Sequence, residues 1–133
     1  MFTEGVFDLL HVNHLRLLHK ARAMGDRLVV GVTPDADAAA YKRRPVLTLE
    51  ERMATVLATG IADEVVECST MFGATIDAAF IARHGIGLVV YAGDGWDELY
   101  RYPTEQGIMR RIPYGGGIDS STIIARIRNR DDL

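Results

Sequence analysis

The chain of 133 residues is predicted to be α/β, a three-layer sandwich around a mostly parallel sheet of about five strands. Three observations predict it. Short apolar runs alternate with helical patterns along the whole length, which is the order of a βα fold. Two of those runs, at 27–32 and 88–92, have no solvent-facing alternation and so read as strands covered on both faces. With 48% apolar residues and no linker, repeat or low-complexity tract, residues 1–133 are expected to form one domain with its own core.

Each element can be justified in turn. A short strand at Met1 to Thr3 leads to a turn at Gly5. A helix follows, because His14, Leu15, Leu18, Ala21 and Met24 recur at three- and four-residue steps and Gly25 stands where a left-handed cap belongs. The run 27–32 is the second strand, Asp35 to Ala40 a short helix, and Lys42-Arg43-Arg44-Pro45 an exposed basic loop. Thr48-Leu49-Glu50-Glu51 is a capping box that opens a helix turning Met53, Val56 and Leu57 inward and ending by Gly60. Asp63 to Glu67 gives the third strand, Thr75 to His84 a helix, Leu88 to Ala92 the fourth strand, and Ile108 to Ile112 an edge strand. Asp119, Ser120 and Ser121 cap a last helix that runs to Arg130.

Composition narrows the function. A formal charge of -3 provides no global attraction to nucleic acid or to an anionic membrane, so neither is an expected partner. The lone Cys68 can form no intramolecular disulfide, which suits a reducing, cytoplasmic setting, and no apolar run reaches the roughly 18 residues of a membrane span.

In a parallel sheet ligands bind beyond the carboxyl ends of the strands, where strand order reverses. Four segments compete for that place: Gly5 to His14, the basic loop, Gly93 to Trp96, and Gly115 to Thr122. In the first, His11 and His14 lie three apart where loop becomes helix, behind a glycine and Asp8. Unpaired amides and the positive dipole end favour an anion there, and two imidazoles could hold phosphate oxygens. The same spacing suits a buried His14 with His11 as a cap, or a metal site completed by Asp8 or Cys68. The basic loop reads equally as a solvated charge run, Trp96 as a packing residue, and Ser120 to Thr122 as plain capping.

Gly5-Val6-Phe7-Asp8 followed by His11-Val12-Asn13-His14 resembles the G-T-F-D and H-x-G-H signature of the cytidylyltransferase-like nucleotidyltransferases, most closely the glycerol-3-phosphate cytidylyltransferase group. The likeness continues in order along the chain. Thr48-Leu49-Glu50-Glu51-Arg52 matches a capped helix with an arginine, Gly93-Asp94-Gly95-Trp96 a G-D-D-W loop, and Gly117-Ile118-Asp119-Ser120-Ser121 a G-I-S-T-T segment. The resemblance implies a Rossmann-like fold, a homodimer, and transfer of CMP from CTP to a phosphate-type oxygen with release of pyrophosphate. It also implies that His11 and His14 contact the triphosphate, and that Lys42, with Arg43 or Arg44, closes over it as a mobile loop. Gly5, Val6, Phe7 and Asn13 would line the phosphates and Arg52 would assist. Asp94 and Trp96 would lie near the nucleoside, and Gly117, Ile118, Ser120, Ser121 and Thr122 would offer a second helix start. Mg²⁺ would be held mainly by the phosphates, with Asp8 the nearest acid.

The departures from the pattern matter as much. Asn13 stands where H-x-G-H has glycine, adding bulk where a ligand packs, and Tyr114 stands where the related group has a phosphate-binding arginine. Arg110 or Arg111 could substitute, but strand alternation sends their side chains to opposite faces. The stretch 68–75 has no basic residue, whereas the glycerol phosphate group carries a lysine there. Ser69, Thr70 and Thr75 therefore suggest a small acceptor held by hydroxyls, such as 2-hydroxyethylphosphonate, ahead of an alcohol phosphate. Two other functions remain open: an adenylyltransferase acting on a sugar phosphate or flavin, and a catalytically silent nucleotide-binding module.

Overall fold

The computed structural model describes residues 1–69 and 76–133. Five strands, β1 (Phe2–Gly5), β2 (Val29–Val32), β3 (Glu64–Glu67), β4 (Val89–Ala92) and β5 (Met109–Ile112), form one sheet in the order β3-β2-β1-β4-β5, and every pairing is parallel. The expected edge position of the last strand is correct. The chain moves outward from β1 to β3 and then crosses back to β4, so strand order reverses between β1 and β4. A crevice at their carboxyl ends follows from that topology.

Alternation along the strands feeds two cores. Phe2, Val29 and Val89 face one side, packing with Ile76, Phe80, Leu99 and Tyr100. Val30, Val32 and Val90 face the other, packing with Leu18, Ala21 and Val56 from α1 (Val12–Arg22) and α3 (Leu49–Ala58). Helices on both faces make the three layers. Gly31 is required by this packing, since a Cβ there would come 2.7 Å from the Cys68 Cβ and 2.9 Å from the Phe2 ring.

The remaining helices are α2 (Asp35–Tyr41), α4 (Ala78–His84), α5 (Arg101–Glu105) and α6 (Ser120–Arg128). The capping box at Thr48 and Glu51 is present, as is the Asp119 cap of α6. Gly25 does not cap α1: the helix stops at Arg22 with Ala23 in right-handed conformation, and Gly25 instead makes room for the Met1 side chain, 2.1 Å from where its Cβ would stand. Met24 and Leu57, expected to face inward, are exposed, at 39% and 53%. The helix expected from Thr75 is described from Ala78, with Asp77 accepting from the Phe80 N–H, and ends in a left-handed Gly85. Helix α5 is an addition; Pro103 in so short a segment leaves little periodic signal. No helix among the described residues is long and apolar enough to cross a membrane.

Candidate active site

A cavity of about 590 Å³ opens at the carboxyl ends of β1 and β4, where Gly5 and Ala92 form part of its wall. All four segments singled out from the sequence reach it: Gly5 to His14, the basic loop through Lys42, Arg43 and Pro45, Trp96, and Gly115 with Ser120. The loop entering α1 is strained, with Phe7 at φ 53° and Leu9 at φ 49°, and Trp96 at φ 57° follows Gly95 at φ 84° across the cavity. Left-handed backbone at non-glycine residues is costly and persists where the surrounding structure enforces it, as it does at many functional sites.

The two histidines form a reciprocal cap on α1. The His11 N–H donates to His14 Nδ1 and the Asn13 N–H donates to His11 Nδ1, each at 3.2 Å. With both Nδ1 atoms accepting, each neutral ring carries its proton on Nε2 and becomes a donor there. The rings stack at 3.8 Å and 24°. Burial holds the His14 pKa down to about 3, with the neighbouring His11 and Lys42 adding to the effect, and burial also lowers that of His11. Near neutral pH the pair is therefore two fixed, uncharged N–H donors. Capping, partial burial and cavity lining, which the spacing left as alternatives, coexist in one arrangement.

Asp8 is a loop anchor. Its carboxylate accepts the Val46 and Leu47 N–H groups at 2.8 and 2.9 Å, and its carbonyl accepts the Ser120 hydroxyl at 2.6 Å. Arg43 lies across the same corner, 3.9 Å from the Asp8 carboxylate, and donates to the Ser121 hydroxyl at 3.2 Å. The basic loop is thus tied to the segment entering α1 and to α6 by residues either side of Arg44. Among the described residues no three His, Cys, Asp or Glu side chains gather as a metal cluster.

Several expected site residues do not reach the cavity. Arg52 is fully buried and spans the base of the entry loop, donating to Leu47, Val6 and Thr33 carbonyls at 3.2, 2.8 and 2.8 Å and pairing with Asp35 at 2.5 Å. It holds three segments together and is not a nucleotide contact here, because a charge this deep needs all its donors satisfied. Asp94 is exposed outside the lining, and Thr122 uses its N–H to receive the Asp119 cap. Gly117 and Ile118 lie behind the lining, where Ile118 offers its carbonyl to Asn13 at 2.7 Å. Ser69 donates to Asp37 at 2.5 Å. Thr70 and Thr75 lie outside the described residues. Asn13 does line the cavity, with its amide engaged by the glycine loop: Nδ2 donates to Gly116 and Ile118. Arg111 packs over Tyr91 and Tyr100 and donates to Gly93 and Gly95 at 3.0 and 2.7 Å, while Arg110 points to its own strand end, so neither enters the cavity.

The other wall was missed in the sequence. Glu4, the penultimate residue of β1 at its crevice end, is buried, lines the cavity and accepts a hydrogen bond from the Tyr100 hydroxyl. Burial pushes its pKa up, opposed by the hydrogen bond from Tyr100. Tyr41, Tyr91 and Trp96 surround that end, with Tyr41 and Trp96 edge to face at 4.8 Å. A charged residue inside an apolar strand was the available signal, since an acid facing a closed layer requires a reason.

The profile of the cytidylyltransferase-like family matches residues 2–127. An ethanolamine-phosphate cytidylyltransferase of Dictyostelium discoideum is 36% identical over 96% of this chain and 37% of its own length. A bifunctional protein HldE of Pseudomonas paraeruginosa is 46% identical over 98% of this chain and 28% of its own length. Among solved structures, the lipopolysaccharide core biosynthesis protein from Thermoplasma volcanium superposes with a TM-score of 0.70 at 21% identity, covering 86% of this chain and 96% of that one. The chain spans little more than a third, or less, of the length of these curated relatives.

Proposed function

The chain belongs to the cytidylyltransferase-like family, and on that premise we propose that it transfers a cytidylyl group from CTP to a small alcohol phosphate or phosphonate, releasing pyrophosphate. The observation that carries the reading is one cavity with two poles, stacked histidine donors among cations on one side and a buried carboxylate among aromatic rings on the other. A phosphate monoester has its second pKa near 6, so near pH 7 the acceptor oxygen is already an anion and no general base is needed. That oxygen attacks the α-phosphorus. A new P–O bond forms as the bond from the α-phosphorus to the bridging oxygen breaks, and the electron pair leaves on pyrophosphate. The Nε2 donors of His11 and His14, with Lys42, meet the charge that develops on the α-phosphate.

Mg²⁺ is proposed to arrive with the triphosphate. The donor set fits that role, because Asp8 gives its oxygens to two amides and a magnesium ion keeps phosphate and water ligands. When bound it would neutralise phosphate charge.

At the other pole, Glu4 and the rings of Tyr41, Tyr91 and Trp96 suit a compact cation, as in an amino-alcohol phosphate, and one curated relative is named for ethanolamine phosphate. A 2-hydroxyethylphosphonate has no cation to place there, so it is the discriminating comparison. Pyrophosphate release from CTP with Mg²⁺ and a panel containing both acceptors tests the proposal. Turnover with ethanolamine phosphate is expected; a folded protein that turns over no acceptor ends it and leaves a silent binding module. Thermal shifts with CTP and ATP read the base, since a hundredfold excess over Kd stabilises by about 2.7 kcal/mol. A shift with ATP alone selects the adenylyl reaction. Light scattering checks the proposed homodimer.

A further inference from the structure

The cavity needs positive charge for a triphosphate, and much of the local positive charge is already committed. Arg52 is buried in its own network, Arg111 clasps the 93–97 loop, and Arg43 is shared between Asp8 and Ser121. The histidines are held neutral and Tyr114, at the cavity wall, has no charge. Arg16, Lys20 and Lys42 also line the cavity, and none of them is in an ion pair among the described residues.

Arg16 differs from the two lysines in being held. Its Nη1 donates to Asn13 Oδ1 at 3.0 Å, while Asn13 Nδ2 donates to the carbonyls of Gly116 and Ile118 at 3.0 and 2.7 Å. One amide therefore locks the first turn of α1, the glycine loop and a guanidinium into a single unit. Space is reserved for it: a Cβ on Gly115 would fall 3.0 Å from Asn13 Oδ1 and 3.1 Å from its Cγ. Asn13, which stands where the family pattern has glycine, and Gly115 are therefore sterically coupled. A guanidinium with one donor spent keeps others for the oxygens of a phosphate group. Lys20 is one helical turn further along the same side, and like charges at that spacing repel unless an anion lies between them.

Resting on the nucleotidyl-transfer reading, we propose that Arg16, aimed by Asn13 and seconded by Lys20, binds the β- and γ-phosphates that leave as pyrophosphate. Arg16 is exposed where His11 and His14 are partly buried, so on this proposal the histidines meet the α-phosphate and Arg16 the group that departs into solvent. As the α-phosphorus to bridging-oxygen bond breaks and its electron pair moves to pyrophosphate, the guanidinium meets that charge without giving up a proton. Asn13 is a positioning residue.

Calorimetry with Mg²⁺ and inorganic pyrophosphate tests this directly, since pyrophosphate carries neither base nor acceptor. Arg16→Ala is expected to weaken pyrophosphate binding and raise the nucleotide KM by about tenfold or more, with the acceptor KM unchanged, the cost of one charge-assisted contact. Asn13→Ala should reproduce part of that loss. Gly115→Ala should weaken pyrophosphate severalfold in the wild-type background and have no effect when Asn13 is already Ala. Pyrophosphate affinity within twofold of wild type in Arg16→Ala, or a rise confined to the acceptor KM, overturns the proposal while leaving turnover with CTP to judge the reaction itself.

Discussion

The two poles of the cavity solve opposite problems with similar economy of residues. At the start of α1, groups that could be charged are kept neutral: the His14 and His11 Nδ1 atoms accept the backbone N–H groups of His11 and Asn13, and burial takes His14 down to about 3. At the end of β1, a group that is ordinarily charged is buried with a phenol as its partner. Among the described residues neither the histidines nor Glu4 is in an ion pair, so each pole keeps polarity for a ligand of opposite demand. A phosphate chain would meet preformed donors at one pole, and a cationic substituent would restore the carboxylate at the other. The lesson is that recognition of a zwitterionic acceptor can be divided between two environments about one cavity.

The largest expected effect breaks the first pole. His14→Ala removes both a donor at the developing charge and half of the α1 cap, and kcat is expected to fall about a hundredfold or more, the typical cost of losing one preorganised donor. Steady-state assay of pyrophosphate release checks it, with circular dichroism showing that α1 persists. Retained activity would leave the histidines as a cap alone.

The second effect is smaller and sharper. Glu4→Gln keeps the shape and a hydrogen-bonding oxygen for Tyr100 but removes the negative charge. The KM for ethanolamine phosphate should rise about tenfold to a hundredfold, as expected for a charge-assisted contact of roughly 1.5–3 kcal/mol, while the KM for CTP and any activity with 2-hydroxyethylphosphonate stay nearly unchanged. An equal loss with both acceptors would mean that Glu4 only supports the sheet.

These poles were unequally legible in the sequence, for physical reasons. The α1 pole is local: glycine, acid and two histidines fall within ten residues, and the helix start is written in their spacing. Thr48 and Glu51 were legible on the same ground, because a capping box is complete within four residues. The Glu4 pole is assembled from β1, α2, β4 and the turn at Tyr100, so no single stretch of sequence contains it. Arg52 shows the converse: its place in a motif suggested a ligand contact, whereas its three guanidinium nitrogens serve Leu47, Val6, Thr33 and Asp35, residues drawn from separate segments of the chain. The edge position of β5 followed from its weak apolar pattern, but α5 and the end of α1 depended on tertiary packing around Pro103 and Met1 that local propensity does not carry.

The smallest expected effect tests both poles in one titration. His14 has a folded pKa of about 3 against an ordinary 6.5, so its neutral form favours the folded state. That stability is present above about pH 6.5 and is lost as pH falls toward 3, because the unfolded chain takes up a proton that the folded chain refuses. Glu4 has a raised folded pKa, so its contribution is present below the ordinary carboxyl value of 4.5 and declines as pH rises through the folded value. The two slopes oppose each other, and each is at most about 1.4 kcal/mol per pH unit per proton. Urea unfolding followed from about pH 4 to about pH 8 should therefore show a shallow dependence in the wild type. Glu4→Gln should steepen the rise of stability with pH, and His14→Gln should expose the fall. If both variants keep the wild-type profile, neither group is as desolvated as the cavity geometry requires, and the contrast between the poles reduces to one of shape.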